Sequence, residues 1–177
     1  KDSACGATIC SIERKLSRYL CEETAKKQIA AFQALCGKPS DGLKRLLEKD
    51  GASGFSTFMS YFILKALIIS GSDRTVDYIK EYYGGMIGRG ATTFWEDFDV
   101  SWLDGSGRID EIPASDKKDL HADYGQFCYK GLRHSLCHGW SSGVVPFFIE
   151  EIVGLKILEP GFKKVAVRPD PGSLKYI

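Results

Sequence analysis

The sequence predicts a mostly α-helical fold, with its helices in two concentric layers and a β-module beginning at its C-terminal end. Three observations carry this prediction. Apolar residues recur at helical spacing in several separate stretches. One stretch, Phe55 to Ser70, is apolar almost all round and must be covered on most sides. From Lys163 onward, β-branched residues alternate with charge, which is a strand pattern. Helices with one wet face fit an outer ring, and the all-apolar helix fits an inner ring around a central cavity. A bundle with one central helix produces the same pattern.

The elements follow in order. Glu22 to Cys36 predicts an amphipathic helix, with Ala25, Ile29, Phe32 and Cys36 on its apolar face and Lys26, Lys27 and Gln33 facing away. Gly37 and Pro39 stop it. Asp41 to Lys49 predicts a short helix with Leu43, Leu46 and Leu47 on one side. The break "KDGASGF" leads into Phe55 to Ser70, where Ser56 or Thr57 fits the N-cap. Asp73 to Tyr83 predicts another amphipathic helix, burying Val76, Ile79 and Tyr83 and ending at Gly84-Gly85. Trp102 to His121 reads as a long irregular segment. A further helix starts near Val144, with Pro146 in its first turn and Phe147, Phe148, Ile149, Ile152, Val153 and Leu155 on a broad apolar face. The tail holds a strand, a Pro-Asp-Pro-Gly turn and then a second strand.

The bulk composition narrows the function. At 177 residues the chain is long enough for one domain with its own core. A net charge of +1 gives no electrostatic case for nucleic acid or an anionic membrane. The longest apolar run, Phe58 to Ile69, contains Ser60 and Lys65 and is too short to cross a bilayer. The six cysteines (at 5, 10, 21, 36, 128 and 137) are expected as reduced thiols, since a chain of this size needs no disulfide staples. The chain starts at Lys1 with no visible signal peptide, so its localisation and oligomeric state stay open.

Two motifs carry chemistry. In "GATTFWEDFD", Gly90 to Asp99, the carboxylates Glu96, Asp97 and Asp99 sit beside Phe94, Trp95 and Phe98. A sugar-cleaving site needs this mixture, because aromatic faces stack on sugar rings while a carboxylate acts at the anomeric carbon or on a water. The alternative is a helix entry with acidic residues at the positive end of its dipole. In "RHSLCHGWSSG", Arg133 to Gly143, a polar loop can present His138 and Trp140 to a cleft, or His138 can be a buried, satisfied histidine. Cys128, His134, Cys137 and His138 match no zinc spacing, so no metal is expected. No glycine-rich phosphate loop is present and no cofactor is expected. Tyr61, at the start of the all-apolar helix, is a further candidate at a cavity mouth.

Taken in order, "DGASGFSTFMSYFILKAL", "GATTFWEDFD", "SLCHGWSSG" and "LKILEPGFKKVAVRPDPG" resemble the C-terminal part of the catalytic region of bacterial α-L-rhamnosidases. The resemblance covers roughly Glu22 to Ile177. These are inverting glycoside hydrolases with an (α/α)6 toroid, the six-hairpin glycosidase fold. The resemblance implies a partial toroid over residues 1–160 and the start of a C-terminal β-sandwich over residues 161–177, with Pro160-Gly161-Phe162 at the junction. It implies that Glu96 is the general base and that His138 contacts substrate; Trp95, Trp140 and Tyr61 join them as candidates from the reading of the motifs themselves. The implied partner is a rhamnose-containing oligosaccharide or glycoside. The family's general acid lies upstream of the matching region, so the chain is expected to be an inactive fragment of a larger enzyme. Asp99, Asp110, Glu111 and Asp123 are internal carboxylates to which the resemblance gives no role. Another toroid glycosidase and a non-catalytic carbohydrate-binding module remain as alternatives.

Overall fold

A computed structural model describes residues 26–37, 39–112, 114–120 and 135–176. The first residues of the predicted Glu22–Cys36 helix, four of the six cysteines, His134 and Asp123 lie outside this set. Five helices and one β-hairpin form the described part: α1 (Lys27–Leu35), α2 (Asp41–Glu48), α3 (Ser60–Ile69), α4 (Thr75–Gly88), α5 (Val144–Phe147), β1 (Leu155–Glu159) and β2 (Lys164–Val167). The fold is mostly α. None of the described helices is long and apolar enough to cross a membrane.

The α2 helix begins where Ser40 Oγ accepts from Leu43 N at 3.2 Å, satisfying one of the helix's orphan amides. It buries Leu47 and half-buries Leu43 and Leu46, the face its leucine spacing predicts. The expected α3 helix starts later than Phe55. Residues 51–59 form turns, and Ser56 Oγ accepts from Met59 N at 3.2 Å on the way in. From Ser60 the helix buries Ile63, Leu64, Ala66 and Leu67. It touches α1, α2, α4 and α5, which accounts for its apolar surround.

Three expectations are corrected. On α1 the buried face is Lys27, Ala30, Ala31, Gln33 and Ala34, while Ile29 and Phe32 are exposed. The alanines let α1 approach α3 closely, and bulky side chains there would hold the two apart. Lys27 is only 7% exposed, with Nζ donating to Gly51 O at 2.5 Å and lying 5.3 Å from the centre of the Phe55 ring. The α4 helix does not stop at Gly84-Gly85 but runs on to Gly88. Gly85 serves packing there, because a Cβ would sit 3.0 Å from Leu103 Cδ1 and 3.1 Å from Phe98 Cζ. Leu155 leaves the predicted helix and opens β1, after α5 has widened into a π turn over Phe148–Ile152.

The hairpin is antiparallel, with Leu155 opposite Val167 and Ile157 opposite Val165. The chain passes so close to itself that a Cβ on Gly154 would lie 1.8 Å from Arg168 O, and Gly154 adopts φ +72°. The second strand expected after Pro171-Gly172 does not form. That segment turns, with Leu174 N on Pro171 O at 2.9 Å, and folds back on α4, where Ser173 Oγ donates to Asp77 at 2.8 Å.

The core lies between α3, α4 and the Gly90–Asp99 segment. Tyr82 packs on Phe55 and Phe98 at centroid distances of 5.7 and 5.2 Å and donates its hydroxyl to Phe98 O at 2.6 Å. Burial pushes the Tyr83 hydroxyl up to about 12, so it stays a neutral donor, 2.7 Å from Ser60 Oγ and 3.2 Å from Ser141 O.

Candidate functional site

The conflicting local preferences of Gly90–Asp99 resolve into irregular backbone, neither helix nor strand. Such backbone needs partners for its amides and carbonyls. It finds them in the second motif. Glu96 N donates to Ser135 O and His138 N donates to Phe94 O, each at 2.8 Å, and Thr93 Oγ1 donates to Leu136 O. The two motifs singled out in the sequence therefore lie side by side as two paired segments.

Glu96 is the most heavily tied residue of the pair. Its carbonyl oxygen accepts from Thr57 Oγ1 at 2.5 Å and from Trp140 Nε1 at 2.8 Å. Its carboxylate Oε2 accepts the Ser135 amide at 2.9 Å. Oε1 has no hydrogen-bond partner among the described residues. The side chain is half-buried. The backbone is thus fixed by two donors and one carboxylate oxygen is oriented by a main-chain amide.

His138 and Trp140 stand beside it. Their rings lie 4.2 Å apart at 48°, and Trp140 is 50% exposed. His138 is half-buried, so neither a sealed core histidine nor a fully solvated one describes it.

The other candidates go elsewhere. Trp95 is 1% exposed and packs against Phe98 at 5.8 Å, with Ser141 Oγ donating to its carbonyl. It belongs to the core and is corrected from sugar platform to structural anchor. Tyr61 donates its hydroxyl to Glu150 Oε2 at 2.8 Å. Burial first, and then that bond, raise its pKa and keep it neutral. The same carboxylate accepts from Lys65 at 3.0 Å, and Lys65 also pairs with Glu151, which Lys156 reaches at 2.7 Å. Burial lowers the Lys65 amine, but its bonds to Glu151 and Glu150 outweigh that and hold it above the ordinary lysine value. Tyr61 thus sits in a charge cluster between α3 and the π turn Phe148–Ile152, with no hydrogen bond to Glu96, His138 or Trp140 among the described residues.

The neighbouring carboxylates have structural duties. Asp97 Oδ1 accepts from Phe98 N at 2.9 Å. Asp99 Oδ1 accepts from Ser101 N at 2.8 Å, capping the 3-10 turn Val100–Leu103, so the helix-entry reading of the motif holds for this one residue. Asp110 takes a two-pronged contact from Arg108, Nε at 2.8 Å and Nη2 at 2.7 Å. That guanidinium holds the Asp110 carboxyl below the usual carboxylate range, which suits an ion-pair partner and not a proton donor.

Sequence reasoning missed Thr57, Ser135 and Phe58. Thr57 read as a helix cap and instead anchors Glu96 from 39 positions away. Ser135 contributes through its backbone amide, for which no side-chain signal exists. Phe58 packs edge-on to Trp140 at 5.9 Å. Its signal was available: a large aromatic at the mouth of the all-apolar helix. Two sizeable hollows are lined by described residues, one of about 370 Å³ by Tyr83, Met86, Ile87 and Phe94, the other of about 480 Å³ by Lys65, Ile149, Ile157 and Phe162. Glu96 lines neither of these two.

No protein-family model, no curated protein and no solved structure matches the chain.

Proposed function

We propose that the chain carries the general-base side of an inverting glycoside hydrolase site of the α-L-rhamnosidase kind, with Glu96 as the base. The observation that supports this most directly is the state of the Glu96 carboxylate. One oxygen is oriented by the Ser135 amide, and the backbone is locked by Thr57 and Trp140, beside the half-exposed His138–Trp140 ring pair. Carboxylate and aromatic face are the two parts that sugar hydrolysis needs.

In this reaction a carboxylic acid protonates the glycosidic oxygen as its bond to the anomeric carbon breaks. Glu96 takes the proton of a water attacking that carbon from the opposite face. The two carboxyl groups stand about 6.5–9.5 Å apart so that the water fits between them. Asp99 and Asp110 are occupied by backbone amides and by Arg108, which favours an acid from another segment, upstream as in the rhamnosidases. The fold follows the same proposal. An inner helix, α3, flanked by α1, α2, α4 and α5 is consistent with part of a six-hairpin toroid, and the β1–β2 hairpin with the opening of a β-sandwich.

The test is a panel of aryl glycosides hydrolysed by the protein at its full natural length, with the first-formed sugar followed by proton NMR. Release of L-rhamnose with inverted anomeric configuration supports the proposal. Hydrolysis of a different sugar transfers it to another toroid glycosidase, and sugar binding without hydrolysis makes the chain a binding module.

A further inference from the structure

The turn between α2 and α3 has an unusual backbone. Asp50, Gly51 and Gly54 all adopt positive φ, at 54°, 60° and 76°. Three left-handed residues within five make a costly shape, and Asp50 lacks a glycine's freedom to adopt it. Two bonds close the turn from within, Ser53 N to Asp50 O and Phe55 N to Ala52 O, each at 3.1 Å. Four more of its backbone groups are held from outside. From α1, Lys27 Nζ donates to Gly51 O at 2.5 Å and Gln28 Nε2 donates to Gly54 O at 2.7 Å. From α4, Glu81 Oε2 accepts from Ala52 N at 3.0 Å. Asp99 Oδ2 accepts from Gly54 N at 3.4 Å. The Glu81 carboxylate fits against the turn because residue 51 is a glycine, since a Cβ there would lie 2.6 Å from Oε2.

This turn leads straight to the candidate site. Three residues after Gly54, the Thr57 hydroxyl donates to the Glu96 carbonyl at 2.5 Å. The turn region therefore meets the Gly90–Asp99 segment twice, once at Asp99 and once at Glu96. The placement of Thr57 depends on the path of the chain through residues 50–54, and side chains from two helices set that path. Glu81 lies exposed on α4 and bonds to the turn, not to Glu96 or to its partner Ser135.

We propose that Glu81 is a positioning residue for Glu96. It holds the 50–54 turn in the shape that brings Thr57 to the Glu96 carbonyl, and so keeps the Glu96 carboxylate on the Ser135 amide. The consequence for catalysis rests on the glycosidase reading of Glu96.

Hydrogen exchange followed by NMR on the protein at its full natural length tests this. Two donors report on Glu96, the Trp140 indole N–H and the Ser135 amide. Each rate is taken relative to the amide of Leu67, buried in α3. In Glu81→Ala both ratios should rise about three- to tenfold, the usual effect of losing one hydrogen bond to a charged group. Alanine is a good helix former at this exposed position, so the variant keeps α4. Glu81→Gln retains an oxygen for the Ala52 amide and should restore both ratios to near wild type. A merely structural role would speed Leu67 and the two reporters alike. Unchanged ratios in Glu81→Ala, or a glutamine variant as open as the alanine one, would overturn the proposal. On an aryl rhamnoside, Glu81→Ala should lower kcat and leave KM unchanged, because Glu96 is misplaced while sugar contacts remain. Unchanged kcat beside raised ratios would also overturn it. Raised ratios in a protein that hydrolyses no glycoside would keep the hold on Glu96 and reject its role as base. Hydrolysis with unchanged ratios would keep the base and reject the positioning.

Discussion

Replacing Thr57 with valine removes the hydroxyl that donates to the Glu96 carbonyl at 2.5 Å. Replacing Trp140 with phenylalanine removes the indole N–H that donates to the same oxygen at 2.8 Å. Each single change leaves the carbonyl one donor, so each should cost about 1 kcal/mol, the usual net value of a hydrogen bond. Thr57 is buried, so its loss should fall at the upper end of that range. The double variant strips both donors from an oxygen next to the buried Trp95, and an orphaned acceptor there costs about 1–3 kcal/mol. The double loss should therefore exceed the sum of the singles by about 0.5–2 kcal/mol. Urea unfolding of the four proteins, compared by midpoint at a common slope, measures it. Additivity to within about 0.3 kcal/mol would refute the claim that the two donors jointly hold Glu96.

Other tests are simpler. A Cβ on Gly84 meets nothing within 4 Å, whereas one on Gly85 presses on Leu103 and Phe98, so Gly84→Ala should stabilise by up to about 1 kcal/mol and Gly85→Ala should not. Thermal melts compare them directly. Burial, opposed by Asp50, Glu81 and Asp99, lowers Lys27 from 10.5 to about 8. Between those values the unfolded chain binds the extra proton, so the wild type should gain stability relative to Lys27→Met as pH rises through that window. A constant difference between the two proteins across the window would contradict this. Tyr61→Phe should cost no more than about 1 kcal/mol of stability and leave sugar affinity unchanged, because its hydroxyl serves Glu150. A fall in affinity without a fall in stability would return Tyr61 to the binding site.

The helices were legible where local chemistry decides them. The leucine spacing marked α2, and the density of apolar residues marked α3 as the central helix. What failed depended on neighbours distant in sequence. The buried face of α1 is made of alanines because α3 lies close, and Lys27 is buried because Gly51 receives its amine. No helical wheel contains either fact. Gly84-Gly85 read as a terminator, since the packing of Phe98 against Gly85 is invisible in the sequence. Leu155 fits a helical face as well as a strand, and only pairing with Val167 decides between them. At the site, the two motifs were each legible as unusual. Their adjacency, and the difference between a buried Trp95 and an exposed Trp140, belong to the tertiary structure.

The most direct test is the Glu96→Gln substitution in the protein at full natural length, read as kcat on an aryl α-L-rhamnoside with folding checked by circular dichroism. Glutamine keeps an oxygen for the Ser135 amide and loses the ability to take a proton from water. As the base, Glu96 should be missed by about 10²–10⁴ in rate. A folded variant with near-wild-type kcat would remove Glu96 from the chemistry.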